Sequence, residues 1–194
     1  MTNVIIEQGQ DAKVGDQPMV RSSGDLNLET MLQCITALND GKDLAGEALQ
    51  GKTNFHVGVA LELSDDINAN RNTAQKIGNL KEYSVKFAVL GPTYDVNILD
   101  LFANAAENTG VSLLASVMML KSVAMIRYLN NLPGVPSIPH EFLKQMIAAP
   151  VKQQAGMEIA AGFLEDIEAR CKGAVLIALG WGTRLPEFLD MLGR

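Results

Sequence analysis

The chain has 194 residues, of which 47% are hydrophobic and 20% are charged, and its formal net charge is -6. This length and apolar content suffice for a single domain over residues 1–194 with its own core, and they exclude an intrinsically disordered chain. An acidic chain without a basic stripe is a poor nucleic-acid binder, and no apolar run reaches membrane-spanning length, so neither partner is expected. Two cysteines without metal-ligand spacing predict core packing in a reduced, cytoplasmic setting and no metal site.

In the first half of the chain, short apolar runs that predict buried strands alternate with segments of helical periodicity. Residues 4–6 predict the first strand, and residues 55–60 predict the second. Between them lies a predicted helix that begins at Asn27 or Asp25 and stops at Gly41. A weaker helical pattern runs from about residue 70 to residue 83.

The same alternation continues to the end of the chain. Residues 87–90 predict a third strand, stopped by Gly91, and Asp95 caps a helix that Gly110 ends. The remaining predictions are a fourth strand at 113–118, helices near 122–131 and 141–149, a long amphipathic helix ending at Gly173, a fifth strand at 174–179 and a closing helix at 185–192. Strands and helices at this cadence predict parallel strands joined by right-handed crossovers, in either an open doubly wound sheet or a β/α barrel.

Several short motifs occur in order over nearly the whole chain. They are GQDAKVGDQP at 9–18, LNDGKDLAG at 38–46 followed by Leu49, Gly51, Thr53 and Phe55, PTYD at 92–95, LKS at 120–122, Pro139, GMEIA at 156–160 and ALGW at 178–181. Together these motifs resemble the methylenetetrahydrofolate reductase family, whose members are flavin-dependent β/α barrels. The resemblance covers strands four to eight of that barrel.

The resemblance implies an α/β fold, namely a partial TIM-type (β/α) barrel with about five parallel strands in which the first three family strands are absent. In the family, those strands supply the glutamate thought to act as general acid and several flavin contacts. Five strands cannot close a barrel, and the predicted edges at 4–6 and 174–178 carry no charge. We therefore expect a homo-oligomer or a partner protein that supplies the missing strands.

The resemblance also implies ligands: FAD as cofactor, with NAD(P)H and a folate as substrates. The positions that match the family's cofactor-binding residues are Gly9, Gln10, Gly58 and Glu62. Those that match its substrate-binding residues are Gly91, Tyr94 and Ser122. Gln10 stands where the family has an aspartate and Gly91 where it has a glutamine, and no catalytic residue is assigned.

Two classes of function follow from this resemblance. The first is a methylenetetrahydrofolate reductase-like protein of one-carbon metabolism, which in the family reduces 5,10-methylenetetrahydrofolate to 5-methyltetrahydrofolate, impaired or partner-dependent in this chain. The alternative is a non-catalytic subunit or degenerate homologue that binds a partner chain or folate. A piece of a split gene is the third possibility.

Overall fold

The computed structural model describes residues 2–8, 19 and 25–193. Five parallel strands form one sheet that is curled into a half-barrel, in the order in which they occur along the chain. They are β1 Thr2–Ile6, β2 Phe55–Leu61, β3 Phe87–Pro92, β4 Ser112–Met118 and β5 Gly173–Ile177. The predicted α/β class with five parallel strands is confirmed. Because the order of these strands never reverses, the sheet has no switch point of the doubly wound kind.

The helices lie between the strands and cover the convex face of the sheet. They are α1 Leu28–Asp40, α2 Ile67–Gln75, α3 Ile77–Leu80, α4 Val96–Ala106, α5 Val123–Leu129, α6 His140–Ala148, α7 Lys152–Glu168 and α8 Leu185–Met191. The cap predictions are confirmed in three places. Asn27 accepts a hydrogen bond from the Thr30 amide at 2.8 Å, Asp95 accepts one from the Asn97 amide at 2.9 Å, and Gly41 ends α1 at φ 79°.

Four of the predicted boundaries are wrong, and at each of them a turn interrupts the helix or strand pattern. The segment 70–83 is not one helix: α2 and α3 are separate, and a 3-10 turn at Lys81–Tyr83 follows them. Helix α4 ends at Ala106, four residues before Gly110, and α7 ends at Glu168, so that Gly173 opens β5 instead of ending a helix. β5 stops at Ile177, because Leu179 and Gly180 adopt positive φ angles that no strand accommodates.

The two faces of the sheet differ in burial. On the convex face, alternate residues such as Val57, Val59 and Leu61 are buried beneath the helices. On the concave face, Ile5 at one edge is 53% exposed and Val175 at the other is 36% exposed. The core therefore lies between the sheet and the helices, while the concave face is incompletely covered by the part of the chain that the structure describes.

Helix α7 is held unusually close to the end of β4. A Cβ added to Gly156 would lie 1.8 Å from the carbonyl oxygen of Leu120, so only glycine allows this approach. At its other end, Arg170 donates from Nε to Asp100 of α4 at 2.5 Å. The first contact places the helix against the loop that follows β4, where candidate ligand-binding residues lie, and the second joins its C-terminal end to α4.

Candidate functional site

The candidate site is the edge of the sheet at which the parallel strands end, called here the carboxyl edge. It carries Glu7 after β1, Glu62 after β2, Tyr94 after β3, Lys121 after β4 and Trp181 after β5. Because all five strands run in one direction, these loops share one side of the half-barrel. In β/α barrels this is the side on which ligands bind.

Of the predicted cofactor positions, Gly9 and Gln10 lie outside the described residues. Gly58 lies in the middle of β2 and not at its end. A Cβ at this position would stand 2.3 Å from the ring of Phe87, which in turn stacks on His56 with the ring centroids 5.7 Å apart. The missing side chain of Gly58 thus makes room for an aromatic pair on the concave face.

Glu62, the last predicted cofactor position, belongs to an acidic part of the carboxyl edge. Its exposed side chain directly follows β2, and Glu7 ends the neighbouring strand, while Asp65 and Asp66 lie in the loop beyond. No ion pair within the described residues neutralises any of these four carboxylates. The described residues therefore give the β1–β2 end of the site a negative charge.

Gly91 stands at an irregularity in β3, where the pairing with β4 shifts between Leu90 and Pro92. An added Cβ would approach the backbone nitrogen of Leu63 to 3.4 Å, so the space beside Gly91 is filled by the loop that follows β2. Gly91 has no side chain with which to bind a ligand, and its place in this structure is a close strand–loop contact.

Tyr94 is buried, with 5% of its surface exposed. Its hydroxyl donates a hydrogen bond to the carbonyl oxygen of Met118, and its ring packs against Phe142 and Phe163 at centroid distances of 5.4 and 5.0 Å. Burial raises the pKa of this hydroxyl above its ordinary value. The side chain joins β3, β4 and two helices, so its hydroxyl is already bonded within the protein.

Ser122 caps a helix. Its Oγ accepts a hydrogen bond from the Met125 amide at 3.1 Å, which satisfies one of the free amides at the start of α5. Ser122 and Tyr94 both lie in loops at the carboxyl edge, but each side chain bonds to the backbone of its surroundings. The ligand roles predicted for the two residues remain predictions.

One pair of site residues was not predicted from the sequence. The Nζ atom of Lys121 lies 5.9 Å from the centroid of the Trp181 ring, across the ends of β4 and β5. In the sequence, ALGW at 178–181 and LKS at 120–122 stand out only as parts of the resemblance. Nothing local in the sequence indicates that these two loops meet, although a lysine directly after a buried strand was a usable signal.

The described residues contain no group of His, Cys, Asp and Glu side chains that could hold a metal ion. Within the same part of the chain, no helix has both the length and the apolar character required to cross a membrane. The chain matches no protein-family model, and comparison with curated proteins gives no match. The function must therefore be argued from the site itself.

The described residues near the β1–β2 end present acidic side chains to a ligand. A diphosphate bound beside Glu7 and Glu62 would meet like charges, which is unfavourable without a cation between them. Gly91, where the family has a glutamine, offers no polar atom from a side chain. Tight flavin binding would thus require contacts from outside these residues.

Proposed function

We propose that this chain is the C-terminal half-barrel of a methylenetetrahydrofolate reductase-like assembly and that it depends on further strands for activity. The observation that carries the proposal is the unbroken order of five parallel strands in a curled sheet, with Glu62, Tyr94 and Ser122 along one edge. The order of the sequence motifs, which resembles that of the methylenetetrahydrofolate reductases, is the reason for proposing this family. Under this proposal the strands correspond to strands four to eight of a TIM-type barrel.

The two edges of the five-stranded sheet favour completion by further strands. An eight-stranded ring closes when three more parallel strands are added to these five. A second copy of this chain would bring five, two more than such a ring takes. A partner protein carrying three strands is therefore the better complement, and a homo-oligomer joined through the same edges is the alternative.

The chain's own residues support a divided role in such an assembly. Gly91 and the bonded hydroxyl of Tyr94 leave few free polar groups from β3, and Glu62 opposes a diphosphate. Under the proposal, FAD and NAD(P)H would therefore be bound mainly by the complementing strands, and this chain would contribute the far wall of the folate pocket. The proposal also implies a cytoplasmic setting, where the free thiols of Cys34 and Cys171 stay reduced.

The test is to measure flavin retention and turnover for the chain alone and after co-expression with a protein that carries three barrel strands of this family. We expect the chain alone to retain little FAD, read as absorbance near 450 nm, and to show no flavin-dependent oxidation of NAD(P)H by methylenetetrahydrofolate. The complemented assembly should gain both. Stoichiometric FAD and robust turnover in the isolated chain would contradict the partner dependence.

The second candidate, a non-catalytic subunit, is favoured by the acidic β1–β2 end. In that case complementation yields a stable complex without flavin, and calorimetry detects binding of 5-methyltetrahydrofolate or of the partner alone. Failure of every strand donor to form a complex, together with no folate binding, would reject both candidates.

A further inference from the structure

In the loops that follow β4 and β5, the side chain of Lys121 lies against Gly180. A Cβ on Gly180 would lie 3.3 Å from Nζ of Lys121, so the ammonium group rests against the bare α-carbon of this residue. The same Nζ faces the ring of Trp181 at 5.9 Å, within the range of a cation–π contact. The distance of 3.3 Å is shorter than most van der Waals contacts of a Cβ, so a side chain at position 180 would require the ammonium group to shift slightly.

The backbone beneath the lysine adopts an uncommon conformation. Leu179 has φ 39° and Gly180 has φ 78°, and the amide of Trp181 closes the turn by donating to the carbonyl of Ala178 at 2.9 Å. Leucine pays a steric cost at positive φ, because its Cβ crowds the following carbonyl. Backbone strain of this kind is concentrated at ligand-binding and catalytic sites.

The charge of Lys121 is not neutralised within the described part of the chain. Its side chain is half-buried and forms no ion pair with a described carboxylate. The ion pairs of the described residues are formed by Arg170 and Arg184. At the other end of the carboxyl edge, Glu7 and Glu62 form no ion pair with another described residue. The charges of the described residues therefore make the edge positive at β4–β5 and negative at β1–β2.

From these observations we infer that Lys121, Gly180 and Trp181 form a subsite for the anionic group of a ligand, a phosphate or a carboxylate. The ammonium group supplies the charge, Gly180 lets that group lie directly against the turn, and the indole offers a flat apolar surface to the part of the ligand next to the anion. The subsite is separate from the positions implied by the resemblance, and it does not rest on the proposed function.

Trp181 is the only tryptophan in the chain, so its fluorescence reports on this loop directly. We would titrate the full chain with inorganic phosphate and, separately, with glutarate, holding ionic strength constant with sodium chloride. A saturable change in Trp181 emission is expected with at least one of them. Saturation by phosphate alone indicates a phosphorylated ligand, and saturation by glutarate alone indicates a carboxylate.

The variants are Lys121→Met, which keeps the length of the side chain, and Lys172→Met, a matched control at the opposite end of β5. Loss of a charged partner should weaken binding by roughly tenfold or more in Lys121→Met and leave Lys172→Met unchanged. Circular dichroism establishes that both variants fold, and Lys121→Arg, which keeps the charge, should retain binding if Lys121→Met does not fold. An emission change that follows ionic strength only, or that persists in Lys121→Met, overturns the inference.

Discussion

At the scale of single residues, Tyr94 joins three parts of the carboxyl edge. Its ring lies between Phe142 and Phe163, and its hydroxyl donates to the Met118 carbonyl at the end of β4. A buried donor that finds its partner contributes little net stability, but a buried acceptor left without one costs more. Tyr94 therefore stabilises the structure of the carboxyl edge through its own contacts.

Tyr94→Phe should lower the free energy of unfolding by about 1–2 kcal/mol at neutral pH, because the Met118 carbonyl loses its donor. Urea denaturation measures this difference. A substitution that leaves stability unchanged would show that water replaces the hydroxyl at this carbonyl.

The same variant tests a pH dependence. Burial raises the pKa of Tyr94, so the folded state keeps its proton at a pH where the unfolded chain, with a tyrosine pKa of about 10, has lost it. The contribution of the buried, protonated Tyr94 to the free energy of unfolding is fully present below about pH 10. It is lost as the pH rises from there toward the raised pKa of the folded state. Stability measured from pH 8 to 11 should fall more steeply for the native chain than for Tyr94→Phe. Tyr83 also has a raised pKa, but it titrates in both proteins and cancels.

At the scale of secondary-structure elements, the placement of α7 determines the shape of the carboxyl edge. Gly156 lets the helix approach the backbone at Leu120, and this contact holds the loop that begins with Lys121. Gly162 lies in the same helix with nothing within 4 Å of the position that a Cβ would occupy. The two glycines thus have the same backbone conformation but different surroundings.

Gly156→Ala should destabilise the protein by about 3 kcal/mol, because its Cβ would overlap a carbonyl oxygen that belongs to the backbone and cannot rotate away. Gly162→Ala is the matched control and should stabilise by about 0.5–1 kcal/mol, since alanine loses less entropy than glycine in a helix. Thermal unfolding of both variants decides the point. Equal effects at the two positions would refute the close approach of α7.

The order of the elements could be predicted from the sequence, and some of their ends could not. Capping residues act within three or four positions, so Asn27, Gly41 and Asp95 were predicted correctly from local pattern. The ends of α4 and β5 were not: a turn that contains the left-handed Asn108 ends α4 before Gly110, and Leu179 adopts a left-handed conformation that leucine does not indicate. Such conformations are imposed by the packing around a turn and leave no periodic signal.

At the scale of the whole molecule, the described residues form a half-barrel with two unpaired edges and an incompletely covered concave face. Ile5 and Val175 occupy opposite edges and are substantially exposed, and neither β1 nor β5 contains a charged residue. Natural edge strands are commonly protected by lysine or proline. The sheet is therefore expected to associate through these edges, with a partner or with itself.

Light scattering over a range of concentrations should show concentration-dependent self-association of the isolated chain. Ile5→Lys and Val175→Lys should each weaken this association by about tenfold or more, since a lysine at an edge opposes strand pairing. Val151→Lys makes the same substitution at a position that is 58% exposed on the helical side, and it should have no effect. A monodisperse monomer at all concentrations would contradict the prediction.

The strands, most of the helices and their alternation could be predicted from the sequence, and they indicated a parallel α/β sheet. Each of these features depends on apolar periodicity and on caps that act over a few residues. The contacts of the side chains at and near the carboxyl edge could be learned from the tertiary structure alone. In the folded chain, the hydroxyl of Tyr94 donates a hydrogen bond to a backbone carbonyl, the ring of Phe87 fills the space beside Gly58, and Lys121 lies next to Trp181. The physical reason is that these contacts join loops distant in the chain, and their distances are set by the curvature of the sheet and by the depth at which helices pack.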